Sequence, residues 1–119
     1  MATNKTTGDK GEKIVIDYFR RKGIKAIKAE HGLGYDVKAG KYLIEVKSTG
    51  QTTKQKNFFF LSQNEFLAAC RNKNYWIYWV NIKENKIKLK ISRNEILKHT
   101  RPSPQYSLYL SELKKKIED

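Results

Sequence analysis

Two carboxylates and an ammonium fall close together in the stretch Gly34 to Thr49, G-Y-D-V-K-A-G-K-Y-L-I-E-V-K-S-T, as Asp36, then Glu45 after eight intervening residues, then Lys47. Carboxylate oxygens are hard ligands that suit Mg²⁺ or Mn²⁺, ions that take few protein ligands and keep water in the remaining positions. A lysine on the same face can orient or help deprotonate that water, or neutralise charge on a phosphorane. Hydrolysis of a phosphodiester needs charge neutralisation, an activated water and a stabilised leaving oxygen, and these three side chains are parts for that chemistry.

The element that must position them reads as a β-hairpin, Tyr35 to Lys38 and Tyr42 to Lys47, rich in β-formers and bracketed by glycines. Alternation puts Tyr42, Ile44 and Val46 toward a core and Leu43, Glu45 and Lys47 on the other face. With Ala39-Gly40 as a two-residue turn, Val37 pairs with Tyr42 and Asp36 with Leu43. Asp36 is then diagonal to Glu45 at roughly 7–8 Å between Cα atoms, close enough for both to reach one ion.

Upstream, a helix is expected from about Asp9, with Ile14, Val15, Tyr18 and Phe19 on one stripe, Arg20, Arg21 and Lys22 in the last turn and Gly23 as the stop. Glu12 continues that stripe and is expected to face the hairpin acids, binding a second ion or holding Lys47. An acid near a helix N-terminus is also favoured by the dipole alone.

The remaining chain supplies the frame. Lys25 to Ala29 reads as a first strand, and Glu30 to Gly34 as a loop in which His31 lies near the site without being a ligand. The polar run from Gly50 to Asn57 has the composition of a mobile loop or of a segment lying along a phosphate backbone. Phe58 to Leu61 reads as a short buried strand. S-x-x-E at Ser62–Glu65 is a capping box opening a helix that contains Cys70 as a small core residue. Tyr75 to Ile82 is apolar enough for a buried strand, and Lys86 to Ile91 alternates as an edge strand with a solvated lysine face. A second capping box, Ser92–Glu95, opens a short helix, and Tyr106 to Leu110 is a last short strand or an interface segment. This order predicts one α/β domain over residues 1–119, with a mixed central sheet flanked by helices.

Charge narrows the partner. Against 12 Asp+Glu stand 25 Lys+Arg, a net +13 with pI ≈ 9.8, which suits a polyanion: nucleic acid first, an acidic membrane surface second. No apolar run approaches the ~18 residues of a membrane span and no signal-peptide segment opens the chain, so a cytoplasmic protein is expected. The single cysteine excludes an internal disulfide and a cysteine-rich zinc site.

Taken in order, Gly11-Glu12, Tyr35-Asp36, Ile44 to Ser48, Phe59 to Glu65 and Tyr75 to Val80 resemble the PD-(D/E)XK, or restriction endonuclease-like, superfamily, with Tyr35 standing where the superfamily name has proline. Within it the chain is similar to small archaeal Holliday-junction resolvases and, more fully, to the C-terminal domain of plant NO VEIN-type proteins. The resemblance implies a restriction endonuclease-like core. It also implies Asp36 and Glu45 as metal ligands with the Val46 carbonyl, Glu12 as an auxiliary acid at the metal, and Lys47 as the catalytic lysine. Lys10, Lys54, Lys56 and Gln63 are candidate DNA contacts, and Asn64 and Glu65 match a motif without an assigned role. The expected function is a Mg²⁺- or Mn²⁺-dependent DNA endonuclease acting on branched or structured DNA, with a homodimer supplying the second site for paired incisions. The alternative is a non-catalytic nucleic-acid-binding or interaction domain that retains the fold. Carboxylates in a basic face repel phosphate, which favours the enzyme.

Overall fold

The order of elements in the computed structural model, which describes residues 4–49, 58–101, 106–109 and 113, is α1 (Asn4–Arg21), β1 (Ala26–Lys28), β2 (Val37–Ala39), β3 (Tyr42–Thr49), β4 (Phe58–Leu61), α2 (Gln63–Arg71), β5 (Tyr75–Asn81), β6 (Lys86–Ser92), α3 (Arg93–His99) and β7 (Tyr106–Tyr109). Five strands form one sheet in the order β1-β2-β3-β5-β6, and β4 and β7 form a separate two-stranded ribbon. β3 and β5 run parallel while the other pairs are antiparallel, so the sheet is mixed. Parallel neighbours need a long crossover, and the segment holding β4 and α2 is that connection.

One apolar layer lies on each face. On one side Val15 and Phe19 of α1 pack on Val37, Ala39, Ile44, Val46, Tyr78 and Val80. On the other, Ala68 and Ala69 of α2 and Ile96 of α3 cover Tyr75, Ile77, Trp79, Leu89 and Ile91. α1 starts earlier than its apolar stripe does. It stops as expected: Gly23 takes φ +77, its N–H bonds the Arg20 carbonyl at 2.9 Å, and Ile24 N–H reaches Phe19 O at 3.0 Å. Both capping boxes are present with both of their reciprocal bonds.

Four expectations are corrected. The hairpin turn is Gly40-Lys41, because Ala39 pairs with Tyr42, Lys38 with Leu43 and Val37 with Ile44. Gly40 sits at φ +59, a conformation that is costly for Ala39, whose side chain is instead fully buried. The corrected register ends at Val37–Ile44 and brings Asp36, the residue before β2, alongside the Ile44–Glu45 step of β3. Second, Cys70 is exposed on α2. Third, Phe60 is 56% exposed, so β4 is not wholly buried.

Fourth, the lysine face of β6 is only partly solvated: Lys86 is exposed, Lys88 is buried and Lys90 is half-buried. A bulge where Trp79 pairs with Leu89 but Val80 with Ile87 leaves Lys88 as the extra residue. Lys88 is buried with its Nζ 3.1 Å from Glu84 Oε1, and Lys90 Nζ bonds the Tyr18 hydroxyl at 2.6 Å beneath α1.

The approach of α1 to β3 depends on a missing side chain. A Cβ on Gly11 would overlap the Ser48 hydroxyl and come within 3.0 Å of Ser48 Cβ and 3.3 Å of Val46 Cγ1. Gly→Ala inside a helix ordinarily stabilises by about 0.8–1.0 kcal/mol. Here Gly11→Ala is expected to lower the melting temperature, and the pair Gly11→Ala with Ser48→Gly to recover most of the loss. A melting temperature raised by Gly11→Ala alone would contradict the close contact.

Candidate active site

β3 carries Glu45 and Lys47 on the face away from α1, and the short β2 brings Asp36 beside them. Asp36 is tied to β3 twice: its N–H donates to Ile44 O at 2.9 Å, and its Oδ2 accepts the Val46 N–H at 2.8 Å. With a proton on one of them, the Asp36 and Glu45 carboxyl groups hydrogen-bond to each other. Glu45 is only 5% exposed. Burial raises its pKa well above the usual carboxylate range, Lys47 pulls it back, and the neighbouring Asp36 and Glu65 raise it further. Asp36 is also raised, first by burial and then by Glu65, against the lowering effect of the Val46 N–H and of its bond to Glu45.

Lys47 Nζ lies 2.9 Å from Glu65 Oε1 and 3.4 Å from Glu45 Oε2. Burial alone would lower its pKa, but the two carboxylates outweigh burial and the net direction is up, so the group is a fixed cation. Glu65 Oε1 also accepts the Ser62 N–H at 3.0 Å, so one oxygen closes the α2 capping box and holds the lysine.

A cavity of ≈ 190 Å³ gathers Glu12, Glu30, Asp36, Glu45 and Glu65 on its walls. Glu12 reaches it from α1, its pKa raised by burial first and by Asp36 second. It does not hold Lys47. Its Oε1 is 3.3 Å from Lys28 Nζ, which also bonds Asp9 at 3.0 Å, and that oxygen makes no well-aligned hydrogen bond.

The Glu30–Tyr35 loop, with His31 on the cavity wall, is pinned against α2. Asn64 Nδ2 donates to Gly32 O at 2.8 Å, and the Tyr75 hydroxyl donates to Gly34 O at 2.6 Å. Gly34 has φ +84, and a Cβ there would stand 2.7 Å from Asn64 O. Tyr75 keeps its proton, since burial first and then Glu45, Glu65 and Asp36 push its pKa up.

The structure thus brings together Glu12, Asp36, Glu45 and Lys47. Lys10 and Gln63 are exposed on α1 and at the start of α2, and Lys54 and Lys56 lie outside the described residues. Sequence reasoning missed Glu65, Asn64 and Tyr75 as parts of the site. The matched string F-F-L-S-x-N-E points at the first two without saying what they touch.

The family described as Protein NO VEIN, C-terminal, matches residues 11–91. The chain belongs to that family. Glu12, Asp36, Glu45, Lys47, Asn64, Glu65 and Tyr75 all fall within the part that matches the NO VEIN C-terminal family.

Among solved structures the chain is similar to Hjc of Archaeoglobus fulgidus, a Holliday junction resolvase, with TM-score 0.62 and 15% identity over 87% of this chain and 84% of that one. It is also similar to the bacterial homing endonuclease I-Ssp6803I, with TM-score 0.59 and 15% identity over 92% of this chain and 76% of that one. These likenesses establish a restriction endonuclease-like fold for this member of the NO VEIN C-terminal family. No curated protein sequence matches the chain.

Among the described residues, no group of three or more His, Cys, Asp or Glu side chains is arranged to enclose a metal ion. The donor set nonetheless fits an ion with few protein ligands. With Asp36, Glu45 and Glu65 all ionised against the single ammonium of Lys47, two formal negative charges are left uncompensated in a buried place.

A carboxylate with a raised folded pKa costs stability above its unfolded value, 4.5 for Glu45. In EDTA the wild type should therefore gain stability as pH falls through the folded pKa of Glu45 toward 4.5. Glu45→Gln should melt higher than wild type at neutral pH and lose that gain. Equal melting temperatures at neutral pH would contradict the charge cluster.

Proposed function

We propose that this chain is a divalent-cation-dependent endonuclease that hydrolyses phosphodiester bonds in DNA, with branched or structured DNA as the substrate class. The observation that carries the reading is the inversion of charge at the site: a protein of net +13 lines one cavity with five of its 12 acids against one lysine, Lys28. Crowding buried carboxylates destabilises a fold, and a bound cation is the compensation that suits hard oxygen donors.

Asp36, Glu45 and the Val46 carbonyl would hold Mg²⁺ or Mn²⁺ with Glu12 beside them, and the ion would neutralise phosphate charge and lower the pKa of water. Lys47, kept protonated by Glu45 and Glu65, acts as a hydrogen-bond donor and fixed charge toward the attacking water or a phosphate oxygen. It does not act as the base. Glu65 keeps Nζ in place through α2, and Tyr75 and Asn64 hold the loop that forms the cavity wall. The folds it resembles belong to a Holliday junction resolvase and a homing endonuclease, which supports DNA as the substrate. Cutting two strands with one site per chain calls for a homodimer, and a DNA substrate places the work inside the cell.

The test incubates purified protein with labelled linear, branched and single-stranded DNA in Mg²⁺, Mn²⁺ or EDTA. Asp36→Asn and Glu45→Gln should each lower cleavage by about 10²-fold or more, with DNA affinity equal or higher because each removes a negative charge. Lys47→Ala should also lose cleavage, with slightly weaker binding. Cleavage persisting in both carboxylate variants would overturn the site. DNA bound but left uncut by the wild type with either ion would favour the non-catalytic binding module.

A further inference from the structure

Beyond the acidic cavity, a groove of ≈ 610 Å³ is lined by Lys38, Lys41, Arg71, Lys73 and Arg93, with no carboxylate on its walls among the described residues. These cations come from the β2–β3 hairpin, the last turn of α2, the turn into β5 and the first residue of α3. The C-terminal end of α2, a local source of negative potential, is covered: Arg93 donates to Ala69 O and Cys70 O, each at 3.2 Å. Lys38, Lys41, Arg71 and Lys73 are exposed.

The groove and the acids share a face of the sheet. Leu43 on the groove wall precedes Glu45 by two residues on β3, and Lys38 follows Asp36 by two residues on the opposite strand. Residues two apart on a strand point the same way, about 6.6 Å along it. That is about twice the 3.4 Å of helix axis per phosphate on one DNA strand.

Resting on the reading above, we propose that this groove holds the phosphate backbone of the DNA strand a few nucleotides from the bond presented to Asp36 and Glu45. The occupant is a strand of regularly spaced negative charges, because five cations with no paired acid among the described residues suit repeated phosphates better than a single small anion. Positive charge in the groove also offsets the repulsion that the acidic cavity exerts on an approaching backbone. Binding and chemistry are thus assigned to neighbouring patches of opposite sign.

The experiment measures anisotropy of a labelled duplex in EDTA across a salt series, for wild type and two variants of equal net charge. One carries Lys41→Glu, Arg71→Glu and Lys73→Glu. The other carries Lys83→Glu, Lys86→Glu and Lys98→Glu at exposed positions outside the groove. The groove variant should bind at least about tenfold more weakly, and its log–log salt slope should flatten by about three, at roughly 0.9 for each phosphate no longer neutralised. The other variant should keep a slope within about one of wild type.

Lys73→Ala alone, in an exposed turn, should flatten the slope by about one. Equal losses in the two triple variants, or a groove variant that binds like wild type, would overturn the groove. A wild type that binds no duplex at all would instead overturn DNA as the partner, a result distinct from failure of the groove alone.

Discussion

Like charges brought together out of water repel and lose hydration at the same time, and the arrangement around Asp36, Glu45 and Glu65 answers both costs. Lys47 lies between Glu45 and Glu65, the Val46 N–H caps Asp36, and a proton on either carboxyl lets Asp36 and Glu45 hydrogen-bond to each other. Each of these interactions depends on a different part of the fold. The pairing of β2 with β3 brings Asp36 alongside Glu45, and the capping box of α2 brings Glu65 down onto Lys47. Gly11 lets α1 approach closely enough for Glu12 to reach the same cavity. Losing the β2–β3 pairing or the α2 cap would leave a buried carboxylate without its partner.

The fold is therefore stable in spite of the site. Two apolar layers, one under α1 and one under α2 and α3, supply the burial that carries the domain. β3 and β5 lie at the junction of both layers, so the strand bearing Glu45 and Lys47 is held on two faces and by two neighbours. Side chains on such a strand have little freedom to move apart when charged, which is the condition for holding an ion in a set place.

Most of the site is legible in the sequence because its residues lie on one hairpin, where alternation alone puts Glu45 and Lys47 on a common face. The order of strands and helices follows from periodicity, the two S-x-x-E boxes and Gly23. The hairpin register is not legible, since Ala39-Gly40 and Gly40-Lys41 are both plausible turns and only the burial of Ala39 decides between them. The bulge that turns Lys88 inward leaves no trace in a strictly alternating string. Glu65 reads as a cap, which it is. Its second role depends on a tertiary approach of α2 to β3 that local pattern does not encode. The basic groove combines positions 38, 41, 71, 73 and 93, which no window of sequence brings together.

The central claim is that the uncompensated carboxylates form a seat for a divalent cation. Crystals of the wild type soaked in Mn²⁺ and measured at the manganese edge test it directly. The account predicts an anomalous peak within coordinating distance of both Asp36 and Glu45, with Lys47 still held by Glu65. Crystals that take up Mn²⁺ elsewhere, or not at all, and keep the Asp36–Glu45 hydrogen bond intact would contradict it.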